Sequence, residues 1–495
     1  MRTRSASLLL LSLWVFGCSS EPKEATQPPG DEGDETPKAE TFTYSPPGCD
    51  YTLEIAEGRG LDYALDDGTL GDAPAPQRVR IGLGGTTELG KPGYADPSKM
   101  AAFVWETDVN TKASKVRMGP SPDALTEVYT GFSYALPGSV PVRIHQVHVC
   151  NGKPGETWYY QVGGGPEGGE VWGPVQSFTF TPAGGSNETV TIGVSGDARD
   201  SHDVVWPLVQ SRMKDAAPTL QVFTGDAIVI PHEASARDYA RWLDGAWKSS
   251  PSSPGGDFAL GNHPFYPIGG NHENLQIQWL STFAFPGSGK YQGLFFSFDA
   301  GPIHVVLIDD GPVSARMTAR WPGAEEAILS FLENDLAKAN ERRDSVPWIV
   351  IFHHRGALST SNHGNDHDVK RMRTLLMPLW DKYNVTAVIN GHDHNYERSA
   401  PSTWSGSEPV PMEELSQGTT HIVCAGAGAD GYSTGDGSEP WSLVRQRYGK
   451  DTPYVGLYGF LSATPDKLTW KAYGLKPEGT KVADDDEIDS VEWTR

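Results

Sequence analysis

Five short segments hold the residues best suited to chemistry: Gly196-Asp197-Ala198-Arg199, Gly225-Asp226, Gly270-Asn271-His272-Glu273, His353-His354-Arg355, and Gly391-His392-Asp393-His394-Asn395-Tyr396-Glu397-Arg398. Carboxylate, amide oxygen and imidazole are ligands for Zn, Fe(II) and Mn rather than for soft Cu(I). A His-x-His pair in an extended stretch directs both imidazoles the same way. Twelve of the 14 histidines lie between His202 and His421, where even scatter would place about six, so metal-binding capacity is concentrated in one part of the chain. Gly-Asp alone is a very weak signal and Gly-His-x-His a modest one. Five such segments in this order are a strong one.

Elements must bring these segments together across about 200 residues. After Pro182, apolar runs end in polar residues and alternate with helical stretches. Val190 to Ser195 precedes Gly196-Asp197, and Val204, Val205, Leu208, Val209 and Met213 then recur at helical spacing behind Ser201, a capping candidate. This pattern predicts an α/β domain, in which residues just past the carboxyl ends of strands converge on one crevice. From about Gln77 to Pro182, short alternating runs separated by turns predict an antiparallel β-sandwich instead. His145 and His148 lie there at odd separation, on opposite faces of one strand, and cannot jointly chelate.

Composition narrows the partners. With 40 Lys+Arg against 63 Asp+Glu the net charge is −23, no basic run appears, and broad nucleic-acid binding is excluded as an expectation. A small anionic substrate is not excluded, because a bound cation inverts the local field. At the N-terminus, Arg2 and Arg4 precede an apolar stretch from Leu8 to Phe16, too short to span a bilayer. Val15-Phe16-Gly17-Cys18 resembles a bacterial lipobox, although Phe16 departs from the usual small residue. The expectation is a signal peptide over residues 1–18 and an exported cell-envelope lipoprotein, tied to the membrane only through a lipidated Cys18; secretion after cleavage elsewhere is the alternative. Residues 19–47, rich in Pro, Glu and Gly, read as a flexible linker, and 476–495 as a solvated acidic tail. Cys424 sits in an apolar run and reads as a buried thiol, which leaves Cys49 and Cys150 as the expected disulfide.

The order Gly-Asp, Gly-Asp, Gly-Asn-His-Glu, His, Gly-His-x-His resembles the calcineurin-like metallophosphoesterases. The longer Gly391-His-x-His-x-Tyr-Glu-Arg398 resembles the signature of purple acid phosphatases, and Pro154-Gly155-Glu156-Thr157-Trp158-Tyr159-Tyr160 looks like a fibronectin type III turn. The resemblance implies a multidomain chain: an all-β fibronectin-like sandwich over 48–183, then an α/β metallophosphoesterase domain of four layers, α-β-β-α, over 187–475. It further implies two divalent or mixed-valence ions (Fe, Zn or Mn). Asp226 would bridge them, Asp197 and His394 would bind the first, and Asn271, His354 and His392 the second. His354 is preferred to His353 because the family places a Trp six residues before this ligand and a substrate-facing His about nine after it, and Trp348 and His363 fit. His353 is then a wall or core residue, and His263, in the decoy Gly261-Asn262-His263-Pro264, a loop residue.

One departure bears on the first ion. The purple enzymes have a tyrosinate three residues after the bridging Asp, and here position 229 is Val; related enzymes have Asp-x-His in the first segment, and position 199 is Arg. His202, His232 or water are the candidates to fill the place, while Arg199 is expected on the substrate phosphate. The resemblance implies a bridging hydroxide as nucleophile, with His272 and His363 holding the phosphoryl group and protonating the leaving alkoxide. The expected activity is that of an acid phosphatase acting on small phosphate monoesters. A phosphodiesterase with the same metals, or a catalytically weakened surface binding protein, are the alternatives.

Overall fold

The computed structural model describes residues 41–56, 58–138, 140–229, 235–247, 259–273, 277–314 and 321–495. The signal peptide, Cys18, most of the expected linker and His232 lie outside the described residues.

Alternating residues of the first folded part pair into two antiparallel sheets. One runs in the order 61–65, 132–135, 142–149, 101–108, 77–82; the other is built around 157–164, which pairs with 171–172 and 176–179 on one side and 115–119 on the other, 127–130 lying beyond 115–119. Phe103, Trp105, Val116, Val147, Tyr160 and Phe178 fill the space between them. His145 is buried between Thr107 and Ser114 hydroxyls at 2.7 and 2.9 Å, and His148 is bonded to Tyr51 at 2.8 Å. Burial holds both imidazoles down at about 3, so they are neutral structural residues. The sandwich is fastened to the second part by Tyr160 donating to the Gly261 carbonyl (2.6 Å), Tyr134 to that of Ser281 (2.6 Å), and Arg78 bonded to Asp244 (3.0 Å). The flexible linker expected as far as 47 ends earlier: Phe42–Tyr44 pairs with Leu53–Ile55, because Phe42 and Tyr44 stack on Tyr63 and Phe132. Cys49 and Cys150 are bonded, with Cα atoms 5.2 Å apart.

The second part is built on two large sheets packed face to face, beside a small hairpin of Ser402–Trp404 and Pro409–Pro411. The strands of the large sheets are β1 (Val190–Ser195), β2 (Leu220–Phe223), β3 (Phe265–Pro267), β4 (Phe295–Ala300), β5 (Ile303–Ile308), β6 (Trp348–Arg355), β7 (Ala387–Gly391), β8 (Tyr396–Ser399), β9 (Thr420–Cys424), β10 (Ser442–Gln446), β11 (Gly456–Ala463), β12 (Lys467–Leu475) and β13 (Asp486–Thr494). The first sheet has the order β3-β2-β1-β11-β12-β13, the second β4-β5-β6-β7-β9-β8-β10. Strands β3, β2 and β1 are parallel, as are β5, β6, β7 and β9. Two-residue alternation assigns the faces of β6. Val350 and Phe352 join the core shared with the first sheet, whereas Ile349 and Ile351 join a second core under helices α2 (Ala324–Asn340) and α3 (His367–Lys382). On the first sheet's side, α1 (Val205–Ala216) buries Trp206, Val209 and Met213. Helix α1 starts four residues after Ser201, whose hydroxyl accepts the Val205 N–H at 3.2 Å. Cys424 is buried, and its thiol is pushed up by desolvation.

The solvated acidic tail is a misreading of 476–495. Strand β13 pairs with β12 along its length, and Val491 and Trp493 enter the core. Its acids have buried partners: Asp485 accepts from Arg212 Nε at 2.8 Å and Tyr458 at 2.7 Å, and Asp489 from Arg398 Nε at 2.6 Å and Tyr396 at 2.5 Å. Asp485 in the Asp484–Glu487 run is thereby a core ion-pair partner rather than a solubilising charge.

Candidate metal centre

The five segments sit at the carboxyl ends of β1, β2, β3, β6 and β7. Asp197, Asp226 and His392 each have positive φ (59°, 59° and 77°), a conformation that costs roughly 1–2 kcal/mol for an L-residue. Each follows a glycine at a strand end. Gly225 is itself left-handed at +99°, and a Cβ on Gly270 would lie 2.2 Å from Asp226 Oδ1, so neither tolerates a side chain. Strained backbone and bare glycines together bring the carboxylates to the crevice floor.

Two donor groups result. Asp226, His354 and His392 have ligand atoms within 4.8 Å of one another, as do Asp197, Asp226 and His394. Asp226 belongs to both. Asn271 adds its amide oxygen to the first of these groups, 2.9 Å from His354 Nε2. The imidazoles are pre-aimed by carbonyls: His354 Nδ1 donates to Thr224 (2.7 Å) and His394 Nδ1 to Asp430 (2.7 Å), leaving each Nε2 toward the carboxylates. The phase of β6 turns His354 into the crevice and sends His353 to the opposite face, where it stacks on Trp380 and bonds Asp310 at 3.2 Å. His263 lies at the end of a short helix, Ala259–Asn262, bonded to the Pro218 carbonyl.

Electrostatics explain what this floor requires. Burial raises Asp197, opposed by His354 and reinforced by Asp226, to about 8. Asp226 is equally buried but ends below the ordinary carboxylate range because His354, His272 and His392 stabilise its anion. His354 rises to about 10: burial opposes its charge, and Asp226 and Asp197 override that. His392 is pushed well down by burial and by the His354 and Arg355 charges. Two buried carboxylates of which only one is comfortable as an anion, beside His392 and His394 imidazoles that burial keeps neutral and a His354 that holds a proton in place of a cation, suit divalent cations. Asp197, Asp226 and His394 would hold one ion and Asp226, Asn271, His354 and His392 another.

Around these donors lie the other expected residues. The His272 backbone N–H donates to Asp226 Oδ1 at 2.9 Å, its Nδ1 donates to the Val229 carbonyl, and its Nε2 is 3.7 Å from Asp226 Oδ2. The position that lacks the tyrosine thus serves through its backbone, orienting His272. The His363 ring is 4.4 Å from that of His392; its Nδ1 bonds Asp366 at 2.9 Å and its N–H donates to Asp393 at 3.0 Å. Arg199 reaches His394 Nε2 (3.3 Å) and lies 3.8 Å from Asp226 Oδ2. His202, a candidate replacement ligand, instead donates Nε2 to the Ala227 carbonyl at 2.6 Å.

Three further residues were not assigned roles from the sequence. Glu273 accepts the N–H groups of Asp226 (2.8 Å), Ala227 (2.7 Å) and Gly270 (2.7 Å), tying two ligand loops together. Burial and Asp226 raise it to about 7. It was visible as the last residue of the Gly-Asn-His-Glu segment. Glu397 accepts from the Thr360 N–H (2.8 Å) and Ser442 hydroxyl (2.6 Å), anchoring the loop that carries His363. Tyr432 stacks on His394 with centroids 4.0 Å apart and bonds Arg199 at 3.2 Å. It comes from a glycine-rich loop without any sequence signal.

Comparison with known proteins agrees with this geometry. Residues 190–396 match the calcineurin-like phosphoesterase family. Acid phosphatase type 7 of Homo sapiens is 25% identical over 415 residues, covering 77% of this chain and 85% of that protein. Purple acid phosphatase 21 of Arabidopsis thaliana is 25% identical over 351 residues, covering 68% and 70% respectively. In fold, the chain is similar to the purple acid phosphatase PPD1 of yellow lupin seeds, with a TM-score of 0.63 and 18% identity over 85% of this chain and 75% of that one. Four-layered around a crevice of carboxylate, amide and imidazole donors, the chain carries a calcineurin-like phosphoesterase domain over residues 190–396 and is similar to purple acid phosphatases, which supports metal-dependent phosphoester hydrolysis.

Proposed function

We propose that the protein is a phosphomonoesterase of the acid phosphatase type, working with two divalent or mixed-valence ions (Fe, Zn or Mn) on small phosphate esters. The observation that carries this reading is the sharing of Asp226 by two donor groups, with His272, His363 and Arg199 grouped around them. When bound, the cations supply a water of lowered pKa as nucleophile and offset phosphoryl charge. His272, fixed through Nδ1, keeps Nε2 for a phosphoryl oxygen. His363, oriented by Asp366 in the same way, offers Nε2 as the acid that protonates the departing alkoxide, for which an imidazole is well matched. Arg199 supplies a planar fork to the phosphoryl oxygens. The net charge of −23 does not oppose an anionic substrate when the crevice field is set by cations. Names of the human and Arabidopsis relatives support a monoester substrate. The test is hydrolysis of para-nitrophenyl phosphate by metal-reconstituted protein. Turnover is expected, and expected to vanish in Asn271→Ala and His392→Ala; unchanged rates in both overturn the two-metal reading. Faster cleavage of the bis ester identifies a phosphodiesterase, and metal uptake without turnover a binding protein.

The bonded Cys49 and Cys150 support export to an oxidising compartment. We place the mature protein in the cell envelope, held by a lipidated Cys18, and expect Cys18→Ser to move it from the membrane to the soluble fraction.

A further inference from the structure

The two donor groups differ in what already stands among them. In the group of Asp226, Asn271, His354 and His392, His354 Nε2 lies 3.2 Å from Asp226 Oδ1 and 2.9 Å from Asn271 Oδ1, and the nearby Arg355 is bound to Asp310 and Asp368. In the group of Asp197, Asp226 and His394, a guanidinium intrudes. Arg199 Nη2 donates to His394 Nε2 at 3.3 Å, the same nitrogen that faces Asp197 Oδ1 at 3.6 Å and would face an ion. Arg199 Nε, buried and without a hydrogen-bond partner, lies 3.8 Å from Asp226 Oδ2. Asp200 grips Nη1 at 3.1 Å and the Tyr432 hydroxyl meets Nη2 at 3.2 Å. Val229, in the place of the family's tyrosinate, contributes no side-chain donor.

We infer that Arg199 is a resident cation of the first metal site, so that the sites fill in order: the second tightly, the first only as the guanidinium is displaced from His394 and Asp226. The inference rests on the two-metal reading and concerns its regulation. A fixed positive charge under 4 Å from a shared carboxylate disfavours a dication there by at least about tenfold. Three donors against four act in the same direction. Displacement also turns the fork away from the donors and frees it for phosphoryl oxygens, which couples filling of the first site to substrate capture.

The experiment is Zn(II) uptake by the full chain, followed by equilibrium dialysis with elemental analysis, beside Arg199→Gln and Arg199→Ala. Wild-type protein is expected to bind two Zn(II) in phases separated by tenfold or more, with the tight phase removed by His392→Ala. Both Arg199 variants should tighten the weak phase at least tenfold and the tight phase, which meets the guanidinium only through Asp226, by clearly less, with unaltered circular dichroism. Tyr432→Phe, which loosens the guanidinium's anchor, should give a smaller shift in the same direction. Equal affinities in wild type, or a weak phase indifferent to both Arg199 substitutions, overturn this inference alone. Absence of any Zn(II) uptake overturns it together with the two-metal reading.

Discussion

The crevice and a second buried cluster use the same residue types to opposite ends. On β5, His304 lies between Asp299 (2.8 Å) and Asp335 (2.9 Å), as deeply buried as any crevice residue. There every charge is answered: Arg342 pairs with Asp299, and Ser297 donates to Asp335 at 2.7 Å. Burial opposes the imidazolium, but the flanking carboxylates prevail and raise His304 to about 9, giving two anions and two cations in a closed set. None of these residues has positive φ, whereas Asp197, Asp226 and His392 all do. The crevice instead leaves Asp197 disfavoured as an anion and holds its donors on strained turns. Buried acid and histidine therefore mark a functional site only where charge is uncompensated and backbone strained; where both are satisfied, they mark a core.

The widest separation between the clusters comes from Asp226→Asn. Losing the shared carboxylate is expected to cut hydrolysis by at least ~10³-fold, about 4 kcal/mol of barrier, and to remove uptake of both ions, as steady-state rates and elemental analysis would reveal. His304→Ala should do the reverse. It leaves Asp335 buried without a cation and Asp299 with Arg342 alone, and chemical denaturation should show a loss of about 3–5 kcal/mol while Zn(II) stoichiometry of the folded fraction stays intact. Loss of metal in the second variant, or collapse of the fold in the first, would erase the distinction.

Much of this contrast was legible in the sequence, and the unreadable parts share a cause. Period two along β6 puts His353 and His354 on opposite faces, the family's spacing from Trp348 and to His363 selects His354, and a strand-end rule predicts that Gly196-Asp197 and Gly391-His392 meet. All of these are local patterns. Asp485 and Asp489 looked solvated because their partners, Arg212, Tyr396 and Arg398, are about 90 to 270 residues away. The apolar residues Ile488, Val491 and Trp493 within the acidic stretch were the available sign of a strand. Tyr432 acquires its role only by stacking on His394, a contact no spacing encodes. Glu273 was in view, but its role lies in three backbone N–H groups from two loops, which residue types do not report.

A pH series sharpens the comparison next. His304 is raised above its ordinary 6.5, so its contribution is complete below about pH 6.5 and fades as the pH rises through about 9, when the unfolded chain no longer takes up a proton that the folded one holds. The shift corresponds to about 3 kcal/mol. Metal-stripped wild-type protein should lose that much stability over this window by denaturation, and His304→Ala should lack that component of the slope. A wild-type curve parallel to the variant's would mean that the His304 cluster is not closed in the sense argued.

The smallest effect carries the opposite sign to the His304 substitution. Asp197 is raised from 3.8 to about 8, so between those values the folded, metal-stripped protein prefers the protonated acid, and its stability falls as the pH rises across the window. At pH 7 the folded state must keep a proton, because burial and Asp226 both disfavour the Asp197 anion, whereas the unfolded chain has released it. Asp197→Asn presents a neutral amide of the same shape and keeps an oxygen for the His392 N–H, which now lies 3.1 and 3.2 Å from the two carboxylate oxygens. The variant should therefore be more stable than metal-stripped wild type at pH 7, by about 1–3 kcal/mol, with the gap closing toward pH 4. The stabilisation that Zn(II) confers on wild type should shrink in the variant, since the first site loses one of its two anionic donors. A variant less stable than metal-stripped wild type at pH 7 would mean that the crevice carboxylates are as well compensated as those around His304, and that only the strained turns distinguish the two clusters.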